Sequence, residues 1–68
     1  MDNGFPDRLR RLREKRGLNR KELSELCGLE PGSIRKYERG ESIPRSDSLH
    51  KIADFFGVSM DELWKKNF

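Results

Sequence analysis

The sequence predicts an all-α fold, a compact bundle of five short helices. Apolar residues recur at helical spacing along the chain, and no segment has the alternation of β-branched residues that is typical of a strand. Four glycines follow such segments at helix-length intervals, as expected for helix ends: Gly17, Gly28, Gly40 and Gly57. With 68 residues, 32% hydrophobic and 40% charged, we expect one domain over residues 1–68 with its core at about residues 6–64.

The first helix is predicted over residues 6–16. Pro6 suits a first helical turn, and Leu9 and Leu12 form a narrow apolar stripe on a segment that is otherwise charged. The second helix is predicted over residues 20–27. Its start is indicated by Asn19 and Glu22, which have the spacing of a capping box. We expect this helix to bury Leu23, Leu26 and Cys27.

A three-residue connection that begins with Gly28 leads to a third helix, predicted over residues 31–39. Pro31 occupies its first turn, and its inward residues are expected to be Ile34 and Tyr37. A loop over residues 41–45 follows, because its composition is that of a turn and the residue before a proline disfavours helix. We expect Ile43 in this loop to fill part of the core.

The last two helices are predicted from capping and apolar spacing. Ser46 is expected to cap the fourth helix, whose apolar residues follow the i, i+3, i+4, i+7 pattern: Leu49, Ile52, Ala53 and Phe56. Ser59 and Glu62 form a second capping box that opens the fifth helix. Its apolar residues are Met60, Leu63 and Trp64.

The residue types argue against catalysis. His50 is the single histidine and Cys27 the single cysteine, so neither a zinc-ligand set nor a nucleophile–base pair can be assembled. We therefore expect no enzyme activity, no metal and no cofactor, and no small-molecule ligand is evident. A lone cysteine, no long apolar run and no signal-peptide pattern at the start predict a cytoplasmic protein that does not enter a membrane.

The charge distribution favours a polyanionic partner. The net charge is only +3, but residues 1–40 hold eleven basic and seven acidic groups. Two helices of about eight residues joined at Gly28 also match the helix-turn-helix pattern, whose second helix enters a DNA major groove. On this interpretation the third helix directs a small set of residues outward, to base edges or the groove: Gly32, Ser33, Arg35 and Lys36.

Apolar, glycine and charged residues fall in register along the five predicted helices: Leu12-Arg13, Arg16-Gly17-Leu18-Asn19, Glu22-Leu23, Gly28, Ile34, Tyr37-Glu38-Arg39-Gly40, Pro44, Leu49, Ile52-Ala53, Phe56-Gly57-Val58 and Leu63. In these residues the sequence resembles the phage-repressor-like helix-turn-helix domains, of the lambda repressor and Cro type, also called the xenobiotic-response-element type. The resemblance covers about residues 6–64. It implies a five-helix fold and sequence-specific binding of double-stranded DNA by a small transcriptional regulator, nucleoid-associated when bound.

The resemblance also implies roles for individual residues. Arg13 and Glu38 match a structural ion pair between the first and third helices. Ser33 and Lys36 match base-edge or phosphate positions. Four further residues are expected to contact phosphates: Asn19, Arg20, Arg39 and Arg45. Pro31 and Gly32 depart from the family pattern, because neither has a side-chain donor for base readout, although Gly32 could bring its backbone close to DNA.

The C-terminal aromatic residues predict a possible dimer surface. Trp64 and Phe68 lie in and after the last helix, and domains that resemble this one commonly dimerise there. Trp64 could equally pack in the core. We expect a homodimer on a pseudo-palindromic operator, with recognition helices about one DNA turn apart. The alternative is a protein-interaction module, antitoxin-like or anti-repressor, that uses the same fold without reading DNA.

Overall fold

A computed structural model describes residues 4–65, which form five helices and no strand. The helices are α1 (Phe5–Lys15), α2 (Arg20–Leu26), α3 (Ser33–Glu38), α4 (Ser46–Phe56) and α5 (Met60–Trp64). The predicted fold class is therefore confirmed. α3 packs on both α1 and α2, while α5 packs on α1 and α4. The orientation of α3 is thus set by the two helices that precede it.

The core draws on all five helices. Its aliphatic centre consists of side chains with no more than 1% exposure: Leu9, Leu23, Ile34, Ile52 and Leu63. Burying a side chain of this size stabilises a fold by about 1.5–3 kcal/mol. Aromatic rings close the core at its edge, where Phe5 lies 6.4 Å from the Tyr37 ring and 5.2 Å from the Trp64 ring, centroid to centroid.

Both predicted capping boxes are present. Asn19 Oδ1 accepts a bond of 2.7 Å from the Glu22 backbone N–H, and Glu22 Oε1 accepts one of 2.9 Å from the Asn19 backbone N–H. Ser59 and Glu62 make the same two bonds, each 3.0 Å long. The Ser59 donors lower the pKa of the Glu62 carboxyl. These local bonds explain why the starts of α2 and α5 were predicted correctly.

The starts of α1 and α4 differ from the prediction by one residue. α1 begins at Phe5 rather than Pro6. At α4 the N-cap is Arg45, and Ser46 is the first helical residue and makes no capping bond. Arg45 has extended backbone with ψ 167°, and its carbonyl accepts the first helical bond from Leu49 N–H at 2.8 Å. The predicted cap at Ser46 is therefore wrong.

Two residues predicted in the core are exposed. The buried face of α2 is formed by Leu23, Ser24 and Cys27, an arc that leaves Leu26 on the outer side, where 58% of it is exposed. In the loop after α3 the buried residue is Pro44, and Ile43 is 75% exposed. The prediction was wrong at both positions because apolar character alone does not tell which neighbour fills the core.

The C-terminal end of α5 is fastened to α1. Arg8 Nε and Nη2 donate to the carbonyl oxygens of Leu63 and Trp64, each at 2.8 Å. A cation at a helix C-terminus also balances the negative end of the helix dipole. Among residues 4–65, no helix is long and apolar enough to cross a bilayer.

Candidate nucleic-acid interface

The helix α3 has one buried and one exposed face. Ile34 is fully buried and Tyr37 is 8% exposed, which holds this face to the core. Arg35 and Lys36 lie on the other face and are exposed. Because both faces belong to one short helix, burial of the first fixes the direction of the cations on the second.

The helix is shorter than predicted at both ends. The sequence predicted residues 31–39, whereas α3 begins at Ser33. Gly32 is its N-cap and has φ 86° in the left-handed region, so the chain turns at Pro31 and Gly32 before the helix starts. Arg39 is the C-cap and is exposed. Gly32 therefore lies in the turn that leads into α3, and Ser33 is half-buried in its first turn.

The cations near α3 differ in whether an acid is beside them. Among residues 4–65, Arg35, Lys36 and Arg45 make no ion pair, and all three are exposed. Arg39 Nε lies 2.8 Å from Glu41 Oε2, with about half of each side chain exposed. An exposed pair of this kind contributes only about 0–1 kcal/mol. The charge of Arg39 is thus balanced in the free protein but readily released.

A second ionic group joins α1, α2 and α3. Arg13 donates to the Glu38 carboxylate twice, from Nε to Oε2 at 2.6 Å and from Nη2 to Oε1 at 3.0 Å. Arg20 Nε donates to the same Oε1 at 3.1 Å. The Glu38 side chain is only 1% exposed, against 11% for Arg13 and 45% for Arg20. The pair between Arg13 and Glu38 that the resemblance implies is thus present, and Arg20 extends it.

Arg13 is committed to this group by a further bond. Its Nη1 donates to the Leu18 carbonyl oxygen at 2.9 Å, so every nitrogen of the guanidinium has a partner. The bond to Glu38 raises the pKa of Arg13 above its ordinary value. Arg13 is therefore a structural residue that ties the end of α1 to α3.

Sequence reasoning missed the bond between Arg20 and Glu38. The two residues lie 18 positions apart on different helices. Helical spacing reports contacts between residues three or four positions apart, so it carries no signal for this bond. The contact arises only because α2 packs against α3.

The start of α2 is rigid around Arg20. Asn19 uses its side-chain oxygen as the cap, so its amide nitrogen is the group that remains for a phosphate. Ser24 Oγ donates to the Arg20 carbonyl oxygen at 3.0 Å, as expected for a buried serine in a helix. The backbone that carries Arg20 is thus held on both sides.

Most cations of α1 are bound within the chain. Asp7 pairs with Arg10 and lies 3.2 Å from Arg11 Nη2. The Arg16 guanidinium carbon lies 5.4 Å from the centroid of the Phe55 ring and 5.3 Å from that of Phe56. Cation–π contacts of this length hold the end of α1 against the end of α4. The arginines of α1 and of its C-cap thus make contacts within the chain.

The two groups considered for catalysis lie on different elements, Cys27 at the end of α2 and His50 on α4. Cys27 is 7% exposed, and burial raises the pKa of its thiol, the opposite of what activates a cysteine nucleophile. His50 lies exposed on α4. Within the described residues no group of three or more histidine, cysteine, aspartate or glutamate side chains could hold a metal ion.

Of the two residues predicted at a dimer surface, the structure describes Trp64. Trp64 is half-buried against the core, with its ring 5.2 Å from that of Phe5. Phe68 lies outside the described residues.

The order and packing of the helices agree with a known family. A family model described as "Helix-turn-helix" matches residues 9–63. The chain belongs to the helix-turn-helix family. Its two-helix motif is α2 and α3, joined by a turn that contains Gly28, and α3 is the second helix of that motif. The resemblance seen in the sequence is confirmed.

Relatives and solved structures support this assignment. The chain is 34% identical over 59 residues to the "Cryptic phage CTXphi transcriptional repressor RstR" of Vibrio cholerae, a match that covers 87% of the chain and 53% of that protein. A transcriptional regulator from Listeria innocua superimposes with a TM-score of 0.86 at 28% identity, over 100% of this chain and 64% of that one. The P22 c2 repressor, in complex with a synthetic operator, superimposes with a TM-score of 0.84 at 25% identity, over 93% and 96% of the two chains.

The chain spans about half the length, or less, of the curated relatives that it matches.

Proposed function

We propose that this helix-turn-helix chain binds double-stranded DNA sequence-specifically as a transcriptional regulator, with α3 in the major groove. The observation that carries the proposal is the exposed face of α3. Arg35 and Lys36 lie there without acid partners among residues 4–65, opposite a face held to the core by Ile34 and Tyr37. A rigid helix that presents unpaired cations on one face suits a groove lined with acceptors.

The residues around α3 divide into two roles in this docking. Arg35 and Lys36 donate to guanine O6 and N7, and the Ser33 hydroxyl can bond to a base edge or a phosphate. The turn at Gly32 lets the backbone come near the groove wall. The contacts that fix the register on the phosphates come from Asn19, Arg20, Arg39 and Arg45.

Two of the related proteins agree with this function. RstR is a transcriptional repressor by name, and the P22 c2 structure holds an operator. The function implies a cytoplasmic protein, nucleoid-associated when bound, in which residues 1–68 act as one domain and catalyse no reaction.

A homodimer on a pseudo-palindromic operator belongs to the same proposal. Two copies related by a two-fold axis would place their α3 helices in successive major grooves, about one helical turn of DNA apart. Sedimentation of the protein with a full operator and with a half-site tests this part. Two chains per full site support the dimer, and one chain per full site contradicts it.

Selection of bound duplexes from a random pool tests the function. We expect an enriched sequence that binds at least about a thousandfold more tightly than a scrambled duplex, and an affinity that falls as salt rises. Equal affinity for both duplexes would contradict sequence-specific binding. No binding to either duplex at low salt would leave the protein-interaction module as the function of the fold.

A further inference from the structure

We propose that Glu38 is a positioning residue for the DNA backbone contact of Arg20. Its buried carboxylate holds Arg20 by Nε, so that the terminal nitrogens of the guanidinium face the phosphate. This inference rests on the proposed function, because it concerns how one phosphate contact of that function is prepared before DNA arrives.

The carboxylate of Glu38 is a fixed anchor. Arg13 donates to both of its oxygens, at 2.6 and 3.0 Å, and only 1% of the Glu38 side chain is exposed. Arg13 is itself bonded to the Leu18 carbonyl, so the anchor is fastened to the end of α1. Glu38 therefore cannot turn toward solvent without breaking a buried ion pair.

Among residues 4–65, Arg20 is held along one edge only. The Glu38 carboxylate accepts a hydrogen bond of 3.1 Å from Arg20 Nε. The four N–H groups on the two terminal nitrogens are left to donate to another acceptor. The side chain of Arg20 is 45% exposed. Arg20 is the first residue of α2 and follows the N-cap residue Asn19. A planar guanidinium fixed by Nε has a defined direction, which matches the oxygens of a phosphate.

Fixing this side chain before binding has a measurable consequence. A free arginine loses rotamer freedom when it docks, and that loss lowers the affinity of the complex. In this chain Glu38 has already ordered Arg20. The carboxylate thus aids binding to a polyanion although it is itself negative.

The charge of Glu38 and its positioning of Arg20 predict opposite changes in DNA affinity when Glu38 is replaced. If its charge were all that mattered, Glu38→Gln would strengthen binding to DNA, since it removes a negative group. If Glu38 positions Arg20, the same substitution weakens binding. Glu41→Gln is the matched control, because it removes the same charge from an exposed carboxylate beside Arg39. We expect Glu41→Gln not to weaken binding.

A double-mutant cycle tests the proposal. Binding of the selected duplex by the full chain is measured at several salt concentrations for the wild type, Glu38→Gln, Arg20→Ala and the double variant, at a temperature where circular dichroism shows each to be folded. We expect Glu38→Gln to bind about two- to tenfold more weakly. Arg20→Ala lowers the slope of log affinity against log salt by about one. The double variant binds no more weakly than Arg20→Ala.

Each other outcome has a defined meaning. Glu38→Gln that binds as tightly as the wild type, or that weakens the Arg20→Ala variant further, overturns the positioning role. A wild-type chain that binds no duplex overturns the proposed function itself, and this inference with it. The two failures are therefore distinguishable.

A measurement on the wild type covers the case in which Glu38→Gln does not fold. The Nε–H of Arg20 can be followed by nuclear magnetic resonance without and with the duplex. We expect a slowly exchanging signal that persists in the complex, because the bond to Glu38 remains while the terminal nitrogens bind phosphate. A signal that exchanges rapidly in the free protein, or is lost on binding, overturns the proposal.

Discussion

The basic residues of α1 and those of α3 are chemically alike but are used differently. On α1 the arginines have intrachain partners: Asp7 binds Arg10 and Arg11, and Glu38 binds Arg13. On α3, Arg35 and Lys36 make no ion pair among residues 4–65. A charge that is balanced inside the chain contributes to the fold, whereas an unbalanced one is available to a partner.

This contrast explains why the net charge is a poor guide. The chain carries only +3 overall. Arg8 on α1 and Arg16 at its C-cap are also engaged, one with the carbonyls at the end of α5 and the other with two aromatic rings. What distinguishes Arg35 and Lys36 on α3 is therefore that they make no ion pair among residues 4–65, not that α3 has more cations.

The largest expected effect is on the stability of the fold, at the ion pair between Arg13 of α1 and Glu38. Arg13→Ala should destabilise the fold by about 3–5 kcal/mol, because it leaves the buried Glu38 carboxylate without its main partner. We expect a value near the lower end of this range, since Arg20 still contacts Glu38. Urea unfolding measures the change. Arg11→Ala serves as the control and should stay within about 0.5 kcal/mol, since Arg11 is exposed. Similar losses in both variants would show that the two pairs do not differ.

The next largest effect is on DNA binding, at the exposed residue Lys36 of α3. Lys36→Ala should reduce the binding free energy for the selected duplex by about 1–3 kcal/mol and relax specificity at one base position. Its fold should be unaffected, because Lys36 is exposed and makes no ion pair among residues 4–65. Lys51→Ala removes the same charge from the exposed part of α4 and should leave binding unchanged. Equal losses in the two variants would contradict the docking of α3.

A smaller effect is expected where a cation near α3 is paired. Glu41→Gln removes the partner of Arg39 and should strengthen DNA binding by about 0.2–1 kcal/mol at low salt, with the gain fading as salt rises. Fluorescence anisotropy with a labelled duplex over a salt series measures this. Weaker binding would mean that Glu41 itself makes a favourable contact.

The smallest expected effect on DNA binding is at Arg11 of α1. Arg11→Ala should leave both the affinity for DNA and its salt dependence unchanged, because Arg11 lies beside Asp7 on α1. The same anisotropy titration serves as the measurement. A flatter salt dependence would place Arg11 on the DNA and remove the contrast between the two helices.

Local chemistry made much of the fold predictable. The capping boxes at Asn19 and Ser59 give the starts of α2 and α5 because their bonds join residues three positions apart. Gly57 ends α4 in the left-handed conformation with φ 69°, as its position after an apolar stripe indicates. Such features depend on neighbours in the chain, so the sequence contains them.

The errors at Leu26 and Ile43 occur where the neighbours that fill the core are distant in the chain. Leu26 and Ile43 are apolar and were expected in the core, but Cys27 and Pro44 occupy the inward places beside them. The first turn of α3 was placed too early, because Pro31 permits a helical start that the backbone at Gly32 does not continue. At Leu26 and Ile43 the packing of the other elements decides which of two adjacent residues is buried.

The sequence by itself determined the five helices, the helix-turn-helix motif and the identity of the cations on α3. Those properties follow from spacing, capping and composition over a few residues. Only the tertiary structure decided which cations are balanced: it brought Arg13 and Arg20 to one carboxylate at Glu38 and left Arg35 and Lys36 without an ion pair among residues 4–65. The reason is that charge balance depends on distance in space, and the packing of α1 and α2 on α3 sets those distances.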